Sequence, residues 1–230
     1  MAKASTRAPV LGPAFIRLLA RLGDADLPRT PPVLTERLAQ WFDWSRALAL
    51  SRTLDGGPAA AADDAAASGD ASDGARAAGD ARHALVQLID AEIEPAPPGQ
   101  GDADADYQPY RRHCVAAQRA MQAATGRLRG QLRDMLAGQS PAKARLAEVD
   151  AVMEATLGPH ELMLLARVPQ LLGLHYRRLR DADAPDDTHA PPAAGPWLAR
   201  FRQDMRMALR AELEVRFHPI DGLLAALHNR

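Results

Sequence analysis

Cysteine is nearly missing from this sequence. Cys114 stands alone in 230 residues, which excludes an intrachain disulfide and a thiolate metal cluster within one chain. Aromatic residues make up only 4%. Sheet-rich cores lean on aromatic and β-branched side chains, so this shortage argues against sheets. Lysine is as rare: Lys3 and Lys143 are the only two, and 26 of the 28 basic residues are arginine. The codon usage of a GC-rich genome accounts for that bias; arginine selected for phosphate recognition is the sharper alternative. No stretch of about 18 apolar residues runs without charges, so no transmembrane helix is expected. The opening from Met1 to Gly23 is basic and partly apolar, but Arg17 and Arg21 interrupt it and no small-residue cleavage site follows. It does not read as a signal peptide, and the expected location is cytoplasmic.

Alanine, leucine and arginine are abundant, and all three are good helix formers. Charge is spread unevenly among them. Residues 1–54 hold eight Lys/Arg and four Asp/Glu, a net of +4. Residues 55–106 hold two and twelve, a net of −10, and residues 107–230 hold eighteen and thirteen, a net of +5. The acidic block opens on Ala, Asp, Ser and Gly with almost no large apolar side chain. Burial there cannot offset the entropy of ordering, so residues 55–79 are predicted to be a disordered acidic insertion. N-terminal helices over 1–54 and a main helical part over 80–230, with linkers at 95–106 and 181–195, should form one domain. The expected fold is all-α, an irregular helical bundle of about seven helices.

Proline, glycine and apolar spacing divide the helices. Pro13 opens the first, which Gly23 ends. A second, capped by Thr30, is predicted from Pro31 to Leu54, and a third from Asp80 to Glu94. The fourth, Tyr107 to Ala137, repeats Tyr107, Cys114, Met121, Leu128 and Met135 every seven residues, the pattern of a coiled-coil seam. Such a seam packs antiparallel neighbours within a chain or builds a homodimer between chains. Ser140-Pro141 opens a fifth helix that Gly158-Pro159 should break. A sixth, His160 to Arg180, should kink or split at Pro169. The last opens at Pro196 with Trp197, Leu198, Phe201, Met205, Leu209 and Leu213 inward, and Pro219 should break it before a short terminal helix.

Chemical motifs are few. The seven histidines include no Glu-x-x-His pair, and His160-Glu161 lacks the second histidine of a zinc-protease motif. Neither a Gly-x-Ser-x-Gly elbow nor a phosphate-cradling glycine loop occurs. Cys114 falls in the seam, where a thiol is buried and inert. Asp181, Asp183, Asp186 and Asp187 lie in the linker expected at 181–195, among Ala and Pro, and read as solvated. No catalytic residue, metal or cofactor is expected. Two binding surfaces remain. Trp41 and Trp44, three apart on a wide apolar face, join Met121 and Leu128 of the seam as candidate contacts for a partner's helices. Arg202, Arg206 and Arg210, spaced by four, form one basic stripe. That stripe supports an alternative reading as a nucleic-acid-binding protein, regulated by the acidic insertion competing with phosphate.

Three segments carry a resemblance: FIRLLARLGDAD near the start, LTERLAQWFDWSRALALSRTL over Leu34–Leu54, and RQDMRMALRAELEVRFHPIDGLLAAL over Arg202–Leu227. With them the chain, apart from the acidic insertion, resembles an uncharacterised proteobacterial family of helical proteins, a domain of unknown function. The family has no established activity or catalytic residues, so no site carries over. Its members are encoded beside envelope proteins, including an outer-membrane-protein-A-like, peptidoglycan-binding type and a coiled-coil membrane protein akin to motor-stator subunits. The resemblance therefore implies a cytoplasmic accessory of an envelope complex, with a membrane-complex subunit as partner and no insertion of its own into the membrane.

Overall fold

Leucine and alanine at three- and four-residue spacing commit almost every described segment to helix. The computed structural model describes residues 14–23, 44–55, 67–94, 103–183 and 195–229. The helices run in the order α1 (Ala14–Gly23), α2 (Trp44–Asp55), α3 (Ala67–Asp90), α4 (Ala103–Gln139), α5 (Pro141–Leu165), α6 (Val168–Ala182) and α7 (Pro196–His228). The all-α expectation holds. No strand occurs among the described residues. Helices α4 and α7 pack on each other, and α3, α5 and α6 each lie against both. Helix α1 crosses α6 and α7, whereas α2 packs chiefly on α5.

The long helix α4 supplies the floor of the core. Tyr107, Tyr110, Cys114, Ala117, Met121, Thr125, Leu128, Leu132 and Leu136 are its buried residues. Their mean step is about 3.6, the period of a straight α-helix, whereas a supercoiled seam holds 3.5. The heptad therefore gives way after Leu128: Met135 is only half-buried, and Leu132 and Leu136 take the inward places. Scarce aromatics are concentrated at one end. Tyr176 meets Phe201, Trp197 and Tyr107 at ring-centroid distances of 5.0, 5.1 and 5.5 Å, and Tyr110 meets Phe201 at 5.3 Å. This cluster joins the start of α4 and of α7 to the second half of α6.

Several boundaries differ from expectation. Helix α3 begins at Ala67 and not Asp80, so much of the expected insertion is helical. Ala71 and Ala78 are buried, and a Cβ on Gly74 would stand 2.9 Å from Leu132 and 3.4 Å from Leu224. Small residues at helical spacing bring α3 close to α4 and α7, whose leucines supply the missing volume. Residues 56–66 lie outside the described residues, as do 24–43, which hold most of the predicted second helix and Trp41. Gly158-Pro159 does not break α5. The carbonyl that Pro159 leaves without its helical donor belongs to Ala155, which is exposed, so water can serve it. Pro219 does not break α7 either. Phe217, Ile220, Leu223 and Leu227 continue its buried face, and that packing outweighs one lost hydrogen bond.

Of the three prolines expected to interrupt a helix, only Pro169 does so, splitting off α6 and sitting in its first turn, where no N–H is needed. The break is held from α4. Tyr107 donates through Oη to the Pro169 carbonyl at 2.5 Å. Its ring lies on Gly173, where a Cβ would come within 2.9 Å of Cε1. Because that ring is 6% exposed and pinned at both ends, it has little room to yield. Gly173→Ala should therefore cost roughly 1–3 kcal/mol in urea unfolding. Gly126→Ala, where nothing stands within 4 Å, should gain roughly 0.5–1 kcal/mol through helix propensity. Equal effects of the two substitutions would contradict the close approach at Gly173.

Candidate functional site

Helix α7 places charge on its apolar face. Glu212 and Arg216, four apart, fall between the inward Leu209, Leu213 and Ile220, and are 0% and 8% exposed. Arg216 donates from Nε to Glu212 Oε1 at 3.0 Å, and its Nη2 lies 2.9 Å from the same oxygen as an ion pair. Gln118 of α4 donates through Nε2 to Glu212 Oε2 and to the Leu165 carbonyl, both at 2.9 Å. Leu165 is the residue whose carbonyl Pro169 cannot serve. Glu161 of α5 stands 3.6 Å from Arg216 Nη1. One buried carboxylate thus ties α4, α5 and α7 together. Burial pushes Glu212 above the usual carboxylate range, against the opposing pull of Gln118 and Arg216. Burial, and secondarily the charge of Glu212, pushes the Cys114 thiol up to about 12. At neutral pH that thiol keeps its proton and is a poor nucleophile.

The arginine stripe keeps its spacing but not its freedom. Arg202 donates from Nε and Nη2 to Tyr110 Oη at 3.2 and 3.0 Å. Arg206 Nη2 donates to the Asp90 carbonyl at 3.4 Å, and Arg210 pairs with the Asp90 carboxylate. His113 Nε2 lies 3.3 Å from the Ile89 carbonyl. Arg206, Arg210 and His113 therefore gather at the C-terminus of α3, where carbonyls lack helical donors and the helix dipole is negative. Beyond it, Arg202 and Arg206 border a cleft of about 780 Å³ whose other wall carries Glu92 and Glu94. The stripe is thus partly engaged within the chain, while the Arg210 side chain remains 54% exposed. Two arginines of α4 are engaged as well: Arg129 meets Asp150 at 2.6 Å and Arg133 meets Glu154 at 2.5 Å, between α4 and α5.

The predicted partner contacts are not brought together. Met121 and Leu128 are 0% and 5% exposed within this chain's own core, so the seam is filled intramolecularly and offers neither side chain to a partner. Trp44 is the first residue of α2, and Trp41 lies outside the described residues. The exposed apolar surface is elsewhere. Leu162, Met163 and Leu164, in the last turn of α5, are 39%, 58% and 54% exposed. Three consecutive helical residues span about 200° of the helix surface, so this turn projects apolar on a broad front. Leu174 of α6 is 48% exposed. The signal was in the sequence: the run Leu162-Met163-Leu164-Leu165 exceeds the stripe that one buried face needs. Gln118, Glu212 and Arg216 also went unnoticed, although Glu212 and Arg216 interrupt an otherwise apolar periodicity.

Among the described residues, no group of three or more His, Cys, Asp or Glu side chains could hold a metal ion. No described helix is long and apolar enough to cross a membrane. The architecture is that of a helical bundle closed around a buried ionic junction, with an apolar turn projecting from it. The chain belongs to the family described as "Protein of unknown function (DUF3348)", whose model matches residues 1–229. No curated protein and no solved structure matches it.

The junction has a measurable pH signature. The folded Glu212 binds its proton more tightly than the unfolded chain does, because its folded value lies above the ordinary one. Its contribution to stability is therefore full below the ordinary carboxylate value of about 4.3 and is lost as pH rises through the raised value. Glu212→Gln removes that titration. Across urea midpoints from about pH 4.5 to about pH 7.5 the stability difference should shift against the wild type as pH rises; a pH-independent difference would contradict the raised value. Arg216→Met leaves the carboxylate buried without its cation and should cost about 3–5 kcal/mol at neutral pH.

Proposed function

We propose that this protein is a non-enzymatic helical interaction protein that docks partner helices, working in the cytoplasm as an accessory of a cell-envelope complex. The observation that carries the docking reading is the exposed turn Leu162-Met163-Leu164. Large apolar side chains projecting from a well-packed bundle mark interaction surfaces, and long aliphatic side chains suit helix-in-groove or helix-on-helix contact. The buried ionic junction behind the turn supports it from below, since Gln118 and Tyr107 fix the chain on both sides of the α5–α6 break. The envelope assignment rests on the family resemblance.

The nucleic-acid reading is supported less well, because Arg202, Arg206 and Arg210 already serve Tyr110 and the end of α3. The two readings separate by variant. Tagged full-length protein, captured with its partners from native lysate, should retain them after Arg206→Gln and lose them after Met163→Glu/Leu164→Glu. Circular dichroism should show the same helicity for both, with melting unchanged for the exposed Met163 and Leu164 and slightly lowered for the half-buried Arg206, which gives up its hydrogen bond to the Asp90 carbonyl. Capture that survives the double substitution and falls steeply with salt would instead favour phosphate contacts.

A further inference from the structure

The exposed turn continues into a longer surface. Ala166 and Arg167, between α5 and α6, keep right-handed helical backbone angles, with φ −59° and ψ −15°, and φ −83° and ψ −16°. Ala166 N donates to the Leu162 carbonyl at 2.9 Å, and Leu171 N donates to the Arg167 carbonyl at 3.0 Å. Helical spacing therefore runs through the break. Met163, Arg167, Gln170, Leu174 and Arg177 follow one another at steps of four, three, four and three, and all five are exposed. At about 1.5 Å per residue the stripe is roughly 20 Å long, close to the footprint of four turns of a partner helix.

Charge on this stretch has one sign. Residues 162–180 contain Arg167, Arg177, Arg178 and Arg180 and no Asp or Glu. Arg178 holds the Leu22 carbonyl of α1, and Arg180 leans toward Asp106 and Asp181 at 3.9 and 3.5 Å. Arg167 stands at the centre, between Met163 and Leu174. A surface of alternating aliphatic and guanidinium groups is complemented by aliphatic and carboxylate groups at the same spacing. Anchoring in a lipid interface draws on exposed tryptophan, phenylalanine or leucine. This face has the leucines, but the one aromatic of the stretch, Tyr176, is 4% exposed, so a partner helix is favoured and a membrane surface becomes an outcome of the test.

We infer that the face from Leu162 to Leu174 binds an acidic amphipathic helix of a partner protein, with its aliphatic residues on Met163, Leu164 and Leu174 and its carboxylates beside Arg167. This rests on the docking reading and names the chemistry of the partner. It is tested by fluorescence anisotropy on the full chain with two labelled helical peptides. Both carry the same leucine stripe, flanked in one by glutamate and in the other by lysine. The glutamate peptide should bind at least about tenfold tighter at low salt, as opposite-charge complementarity requires. Arg167→Glu should erase that preference, and Met163→Glu should weaken both peptides. Equal binding of the two peptides would overturn the acidic partner class while leaving the docking reading in place. Binding of neither would overturn docking at this face. Sedimentation of the chain with phosphatidylserine-containing vesicles, lost on Met163→Glu, would replace the helix with a membrane surface and overturn the inference.

Discussion

Glu212 carries a carboxylate with no exposed surface, and the bundle is arranged around satisfying it. An unpaired charge in that position would destabilise any helical packing by several kcal/mol. Arg216 supplies the compensating charge from the same helix, so α7 must turn both residues inward together. Gln118 supplies the remaining donor, which fixes the position of α4 against α7. The same amide nitrogen reaches the Leu165 carbonyl, so the contact that satisfies the glutamate also sets where α5 ends. A buried ionic group of this kind contributes less to net stability than to the choice of one arrangement over its neighbours.

From that junction the rest follows along α4. Its first turns carry Tyr107, which closes the far side of the α5–α6 break through the Pro169 carbonyl and the bare face of Gly173. Its middle turns carry the junction, and its last third receives the small-residue face of α3. On the other side of α7, Arg82 of α3 reaches Glu214 at 2.6 Å and Asp221 at 3.2 Å while lying over the Phe217 ring at 4.5 Å. Arginine thus serves this protein as an internal clamp. Its planar fork binds carboxylates, carbonyls and ring faces at once, which lysine cannot do. The near absence of lysine has a structural use whatever its origin in codon usage.

The fold class was legible because leucine and alanine periodicity is a strong signal, and so were the inward residues of α7 from Trp197 to Leu213. Boundaries were less legible wherever a local rule met tertiary packing. Pro159 and Pro219 cost one backbone bond each, and the helix continues because its buried face does. Ala71, Gly74 and Ala78 read as too small to order, yet they let α3 come close enough for leucines of α4 and α7 to fill the gap. The candidate site was hardly legible. Charged stripes invite a reading as ligand surface, but the sequence does not say which carboxylates or helix ends lie opposite. Arg202, Arg206 and Arg210 were visible as a stripe, whereas Tyr110 and Asp90, their partners, come from distant positions. Met121 and Leu128 were correctly apolar and wrongly external, because a seam does not say whose helix fills it.

Two faces of the molecule now compete for the role of contact surface: the aliphatic turn at the end of α5 and the arginine side of α7. Each carries an exposed methionine, Met163 at 58% and Met207 at 40%, and methionine is oxidised in proportion to its exposure. The central claim is therefore tested most directly by hydroxyl-radical footprinting of the protein alone and in its native complex, with oxidation read residue by residue in the mass spectrometer. Docking through the end of α5 requires Met163 to be protected in the complex while Met207 is oxidised as before. Protection of Met207 with Met163 unchanged would contradict it.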